Sequence, residues 1–368
     1  MGTITRSFAN NITSGGTFDA TDLTGTIPAS NIADASVGNI TDVPALVIVS
    51  TVASDPPSPD TGQIWYNTTD KVLRAYIQGA NAWTTGGNLN TGRSDLGGAG
   101  GTDTTTGLAF AGKNPGSGRI TNTESYDGSA WTEVNDLNTA IGLHGSAGTQ
   151  TSALSFGGRL SPGPGAYVTQ TESWDGTSWT TSPGNLNTAR GYLAGVGADN
   201  TSVLAFGGYT GSPSALTESW NGSAWTEVND LNSGRYSIGG AGNQTAALSF
   251  GGNNPSPGRN TETESWNGTS WTEVNDLNTG RTYLAGCGTQ TVALSFGGLV
   301  DPTQTNATES WNGTSWTEVN DLNLARDRFV GSGTTSSALG FGGGPSLINQ
   351  AATEEFGPAI VTTDLGVS

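Results

Sequence analysis

The sequence predicts an all-β fold assembled from one four-stranded unit repeated along the chain, and three observations carry that prediction. Trp83, Trp131, Trp179, Trp225, Trp271 and Trp316 recur at intervals of 45 to 48 residues. Phe110, Phe156, Phe206, Phe250, Phe296 and Phe341 keep the same beat, each followed by Gly-Gly or, at 111–112, by Ala-Gly. No part of the unit has apolar residues at the i, i+3, i+4 spacing of a helix, so a helical solenoid is excluded and a propeller array is favoured.

The best-kept copy spans 263–298, TESWNGTSWTEVNDLNTGRTYLAGCGTQTVALSFGG. Around it the pattern predicts strands over 281–288, 292–297, 307–311 and 315–319. Asn-Gly at 312–313 joins the last two as a tight hairpin, because both residues tolerate positive φ. Four antiparallel strands per period make a propeller blade. The chain holds six pairs of first and second strands and six third strands, but after Phe356 no tryptophan follows. The missing fourth strand is expected from 82–85, which would close a six-bladed ring and remove the sheet edges of a linear array. A seven-bladed reading remains open, in which a hairpin over 63–66 and 72–76 joins Trp83 in an extra three-stranded blade.

The order of signals, from arginine through an aliphatic strand ending in Gly-Gly to an aromatic, a turn and a tryptophan, resembles the kelch repeat over roughly residues 83–356. The kelch Gly-Gly falls on Gly297 and Gly298, and its Tyr and Trp on Trp311 and Trp316. The spacing is five rather than six, and only Tyr126 keeps the family's tyrosine. The resemblance implies a six-bladed kelch-like propeller and says little about activity, since one fold hosts many functions. The copper-oxidase chemistry known in that family is excluded by count, because the chain has one histidine, His144, and one cysteine, Cys287.

Composition narrows the partners. Fifty-seven glycines and 12% charged residues fit a turn-dense β protein, and a net charge of −18 argues against nucleic acid and anionic membrane. A single cysteine permits no intramolecular disulfide. The beginning MGTITRSF lacks the apolar core of a signal peptide and 45–49 is too short to span a bilayer, so a soluble protein made in a cytoplasm is expected, without membrane insertion.

Three regions follow: an anchoring or oligomerisation segment over 1–60, the propeller over 61–358, and a tail over 359–368. The first holds one basic residue, Arg6, and isolated aliphatics such as Leu23, Ile27, Ile32, Val37 and Ile40. Such a segment cannot bury a core alone and needs a partner surface or copies of itself, for instance as a homotrimer. The run FDATDLTGTIPASNIADASVGNITDVP, the prolines at 56, 57 and 59, and GQIWYNTTDKVLRAY resemble tail-fibre and other virion proteins of tailed bacteriophages. That resemblance implies a virion location and contacts with other virion proteins through 1–60.

The repeats differ mainly between their second and third strands, at 113–122, 159–170, 209–216, 253–262, 299–307 and 344–352, while the other turns barely change. One face of the disc is thus diversified. Five arginines, Arg93, Arg190, Arg235, Arg281 and Arg326, recur at the start of the first strand and match a recurrent glutamate, at Glu124, Glu172, Glu218, Glu264, Glu309 and Glu354. They read as structural pairs, with Glu172, whose arginine is replaced by Ile141, the less constrained. Asp230, Asp276 and Asp321 read as turn caps rather than calcium ligands. Asn221, Asn267 and Asn312 read as turn residues rather than glycosylation acceptors. Ser-Trp-Asn-Gly-X-X-Trp resembles the Asp-box of sialidases but is one residue short, and no catalytic set is assembled, so no enzyme activity and no cofactor or metal are expected.

The variable loops instead hold Lys113, Arg119, Arg159 and Arg259, four cations with no evident structural duty, and Tyr167 and Tyr209. Tyrosine suits stacking on sugar rings, and cations meet acidic groups. These six residues are the expected ligand contacts. The function expected is a virion fibre, spike or decoration protein that presents a propeller to a host-surface glycan or protein. A purely structural virion component, or a secreted bacterial lectin-like propeller, is the alternative.

Overall fold

The computed structural model describes residues 50–56, 63–160, 167–254, 260–344 and 351–364. The expected anchor over 1–60 lies, except for 50–56, outside them, as does Arg259. The described residues are all-β, and among them no helix is long and apolar enough to cross a membrane. They fall into two compact units, 80–359 and a second that contains the described residues up to Gly79 and from Ile360.

The larger unit consists of antiparallel four-stranded sheets of one repeated, blade-like form. In the sheet that begins at Ala285–Gly288 the next strands are Ala293–Phe296, Thr308–Trp311 and Trp316–Val319, paired in chain order. The predicted first strand started four residues early. Tyr283 takes a φ of 56°, which ends any extended run through 281–284. The hairpin between third and fourth strands is also wider than the tight two-residue turn expected. Trp311 pairs with Trp316, leaving four loop residues, and only Gly313 has positive φ. Asn312 Oδ1 accepts the backbone N–H groups of Thr314 and Ser315, and Asn221 and Asn267 do the same in their sheets.

Among the described residues five sheets have this four-stranded form, and a sixth sheet repeats it within six strands. In the sixth, Val330–Gly333, Ala338–Phe341 and the strand that starts at Thr353 are joined by the end of strand Val72–Thr85. There Gly86 N donates to Thr353 O at 2.9 Å and Thr84 Oγ1 to Glu355 O at 3.3 Å. Ile64–Asn67 pairs antiparallel with Val72–Ala75, as the expected hairpin. Within the smaller unit Ser50–Val52 runs parallel to Trp65–Asn67. Asp55 ties that unit together by accepting from Arg74, Trp65 and Asn67, chiefly Arg74, which together hold its carboxyl down to about 2.

Each fourth-strand tryptophan is buried against a phenylalanine of the preceding sheet. The ring centroids are 4.7 Å apart for Trp179–Phe110, 4.9 Å for Trp225–Phe156, Trp271–Phe206 and Trp131–Phe341, 5.0 Å for Trp316–Phe250 and 4.8 Å for Trp83–Phe296. Each indole N–H also donates to a threonine of that preceding sheet: Trp131 to Thr353, Trp179 to Thr123, Trp225 to Thr171, Trp271 to Thr217, Trp316 to Thr263 and Trp83 to Thr308, at 2.9 to 3.2 Å. Followed from sheet to sheet, these six links return to their start.

Inside each sheet the arginine and glutamate meet as expected. Arg93–Glu124, Arg190–Glu218, Arg235–Glu264, Arg281–Glu309 and Arg326–Glu354 lie 2.7 to 3.1 Å apart, every arginine fully buried. The glutamate further accepts from the asparagine of Asp-Leu-Asn, as Glu264 does from Asn232 N and Nδ2 at 2.7 and 2.8 Å. The preceding aspartate caps the third strand: Asp230, Asp276 and Asp321 accept the N–H of Thr217, Thr263 and Thr308. Glu172 is less free than expected. Gln170 Nε2 donates to it at 3.1 Å and Asn138 twice at 2.9 Å, so an uncharged donor from another position occupies the arginine's place.

Two stability measurements check this packing. Trp225→Ala removes an indole from a full inter-sheet seam and is expected to cost about 3–5 kcal/mol in denaturant unfolding. Glu309→Gln removes the ion-pair partner of the buried Arg281 charge and is expected to cost about 3–5 kcal/mol, whereas Glu172→Gln orphans none and should cost closer to about 1 kcal/mol. Equal losses for the two glutamates would contradict the pairing argument.

Candidate functional site

The site is built from one backbone feature. Two residues after the recurrent arginine, or after Ile141 in the second repeat, the chain turns into the first strand with a left-handed conformation. Asp95, Leu143, Tyr192, Ser237, Tyr283 and Arg328 have φ between 53° and 61°. A non-glycine residue there costs on the order of 1–3 kcal/mol, so something must hold it. Here each N–H donates to the carbonyl of its counterpart in the preceding sheet. The chain of bonds runs Arg328 to Tyr283, Ser237, Tyr192, Leu143 and Asp95, and Asp95 donates back to Arg328 O, all at 2.7 to 3.1 Å.

The residue just before each ring member pairs with the residue just after the glycines that end the second strand. Ser94 meets Lys113, Gly142 meets Arg159, Gly191 meets Tyr209, Tyr236 meets Asn253, Thr282 meets Leu299 and Asp327 meets Gly344. Two variable positions of every repeat thus converge at the same end of the sheets.

Of the expected contacts, the structure brings Arg119, Arg159, Tyr167 and Tyr209 together. Lys113 is exposed in the first repeat, where its charge acts on Asp95, and Arg259 lies outside the described residues. Side chains from one repeat seat on glycines of the next. A Cβ at Gly142 would stand 3.3 Å from Arg119 Nε, and one at Gly191 2.8 Å from the Tyr167 ring. Tyr167 stands edge-on to Tyr209 at 6.1 Å and to Tyr192 at 6.5 Å, and Tyr209 to Tyr236 at 5.1 Å. Tyr192 in turn meets Tyr236 at 5.8 Å and Tyr283 at 6.1 Å. Five of the chain's eight tyrosines are therefore in one half-buried cluster.

Charges border the cluster. The Arg159 guanidinium lies 6.0 Å from the Tyr167 ring centre, and that of Arg328 4.4 Å from the Tyr283 ring. Burial, then the neighbouring Arg159 charge, lowers the proton affinity of Arg119. Burial raises Asp95 against the pull of Arg328, Lys113 and Arg119, and raises Asp327 to about 6. Burial likewise pushes the Tyr192 phenol up to about 12 and raises Tyr167 and Tyr283, so these hydroxyls are donors at ordinary pH. A surface of aromatic edges and faces, phenol donors and guanidinium groups suits a polar ring-shaped ligand with acceptor or anionic substituents.

Sequence reasoning missed Tyr192, Tyr236, Tyr283, Arg328 and Asp95, because 281–288 and its equivalents read as strand. The signal was present: after the arginine the repeats read Ser-Asp, Gly-Tyr, Tyr-Ser, Thr-Tyr and Asp-Arg, as varied as the loops, beside a nearly invariant remainder. His144 is buried away from any such surface, stacked 5.7 Å from Phe110, with burial lowering it to about 3. The Cys287 thiol is buried and pushed up to about 12. Among the described residues no three His, Cys, Asp or Glu side chains gather as a metal site. No protein-family model matches this chain, and neither does any curated protein. The kelch-like and virion readings rest on its residues alone.

Asp327 gives the pH-dependence. Its carboxyl binds a proton more tightly folded, near 6, than in an ordinary carboxyl near 3.8. Its contribution to stability is therefore greatest below 3.8 and is lost as pH rises through 6. Asp327→Asn is expected to exceed the native chain in stability at pH 7.5, with the gap closing by pH 4. Denaturant midpoints across that range check it, and a gap that does not change with pH would contradict it.

Proposed function

We propose that the six sheets form a closed, six-bladed kelch-like β-propeller, and that the protein is a virion component of a tailed phage, a fibre, spike or decoration, whose propeller binds a host-surface glycan or protein. Three features support ring closure: the tryptophan–threonine links and the left-handed backbone ring each return to their start, and the sixth sheet takes its outer strand from 82–85. The observation that carries the binding role is the tyrosine–arginine cluster. The most varied positions of an otherwise uniform repeat converge there, on a backbone held in costly conformations. Loops on a rigid scaffold are where recognition concentrates, and a saccharide is the ligand such aromatic surfaces fit best. The low-complexity character of 1–60 supports attachment to a particle through that region.

A variant with Arg119, Arg159, Tyr167 and Tyr209 changed to Ser tests the role. Against lipopolysaccharide and capsule preparations and whole bacterial cells, the native protein is expected to bind. The variant, folded by circular dichroism, is expected to lose at least about tenfold in affinity. Undiminished binding by the folded variant would place recognition elsewhere.

A further inference from the structure

One open groove of the larger unit, about 610 Å³ in volume, is lined by no charged residue. Tyr167, Thr169, Gln170, Thr181 and Asn185 stand around it, all from the second repeat. That repeat departs from its neighbours here. Thr181 pairs across the sheet with Glu172, and the residues so placed in other sheets are Glu133, Glu227, Glu273 and Glu318. Asn185 Oδ1 accepts the N–H of Thr171 at 3.2 Å, a duty that Asp136, Asp230, Asp276 and Asp321 perform for their own sheets. Two carboxylates have thus been exchanged for a hydroxyl and an amide, with the cap kept, in a chain of net charge −18. The same exchange recurs at Thr85 and Asn88, in the sheet whose loop over 345–350 lies outside the described residues.

What the exchange changes is hydrogen bonding. An ionised carboxylate only accepts, whereas amides and hydroxyls both donate and accept, as the hydroxyls of a sugar do. Among the described residues the Asn185 side chain engages only through Oδ1. That of Gln170 engages only through Nε2, which donates to Thr139 Oγ1 at 2.7 Å and to Glu172 at 3.1 Å. An amide donor and an amide acceptor are therefore left on one groove, a pair that neighbouring hydroxyls of a pyranose can meet together. Carboxylates at 181 and 185 would have to give up water beneath an uncharged ligand, which is unfavourable. Tyr167 supplies the aromatic wall and is held against Gly191, where a Cβ would stand 2.8 Å from its ring. We infer that this groove receives a neutral hexopyranose residue, whose apolar face lies on Tyr167 and whose hydroxyls meet Gln170, Thr181 and Asn185. This inference rests on the saccharide-binding reading and names the class of sugar and its place.

The test measures adsorption of the full chain to a broad panel of bacterial strains, before and after periodate cleavage of their sugar diols and carbodiimide amidation of their carboxylates. Native adsorption is expected to fall at least about tenfold after periodate and to survive amidation. Thr181→Glu with Asn185→Asp installs the residues of the third to fifth repeats and keeps the cap. It is expected to lose at least about tenfold in affinity at an unchanged melting temperature. The reverse exchange on the third repeat, Glu227→Thr with Asp230→Asn, should lose none. Thr181→Lys should weaken binding as the acidic pair does. A gain with lysine, or loss of adsorption on amidation, would mean an anionic ligand and overturn the neutral assignment. If the Thr181 and Asn185 variant binds like the native chain while the variant at Arg119, Arg159, Tyr167 and Tyr209 does not, the groove is not the site and the binding role survives. Sensitivity to protease in place of periodate would overturn the sugar alone. A native chain that adsorbs to no strain of the panel would sink both readings together.

Discussion

The structure depends on the seam between neighbouring sheets, where an indole is pressed on a phenylalanine and its N–H is given to a threonine. A four-stranded sheet of strands only three to six residues long has too little of its own to bury. Its second strands, such as Ala293–Phe296, are buried along their whole length only because another sheet lies on each side. The tryptophan is buried in that seam, and the threonine lets its one polar atom be satisfied without water. Since every sheet lends its threonine to one neighbour and its tryptophan to the other, no unit is stable apart from the rest.

The buried arginine–glutamate pairs play a different part. They do little to stabilise a fold on balance, because removing two charges from water offsets most of what their attraction contributes. What they do is fix position. Arg281 reaches Glu309 and also the carbonyls of Ala307 and Gly297, so the start of the first strand is pinned to the ends of two others. The left-handed residue two places on then has nowhere else to go, and Tyr283 or Arg328 is presented from a backbone that cannot relax. The second repeat, with Ile141 and Gln170, shows that the position can be held without the charge. It also presents Leu143, the one aliphatic member of the ring.

Much of this was legible in the sequence. The tryptophan and phenylalanine series, the arginine–glutamate match, the aspartate caps and the loan of 82–85 to the last sheet all follow from spacing, since each repeats and repetition averages out local noise. The site was legible in part. Arg119, Arg159, Tyr167 and Tyr209 stand in loops whose variation is plain, and they do come together. Tyr192, Tyr236 and Tyr283 were hidden inside what period-2 reasoning counts as strand, because a positive φ at Tyr192, Ser237 or Tyr283 leaves no trace in residue type. Glu172 was misjudged for a related reason. Its substitute donor, Gln170, comes from a position that in other repeats is leucine, alanine, asparagine or glutamate, and no pattern in one repeat announces it.

The sixth sheet also sets an order of events. Thr84 and its partner Glu355 are 271 residues apart in the chain. During synthesis the strand that ends at Thr85 leaves the ribosome first and finds its partner last, after the other sheets have been made. Until then it is an unpaired edge with an indole, Trp83, that has no phenylalanine to cover it. The nascent chain must be kept from pairing that strand with a neighbour on the same message, and the exchange of 82–85 between two copies is the misassembly this arrangement invites.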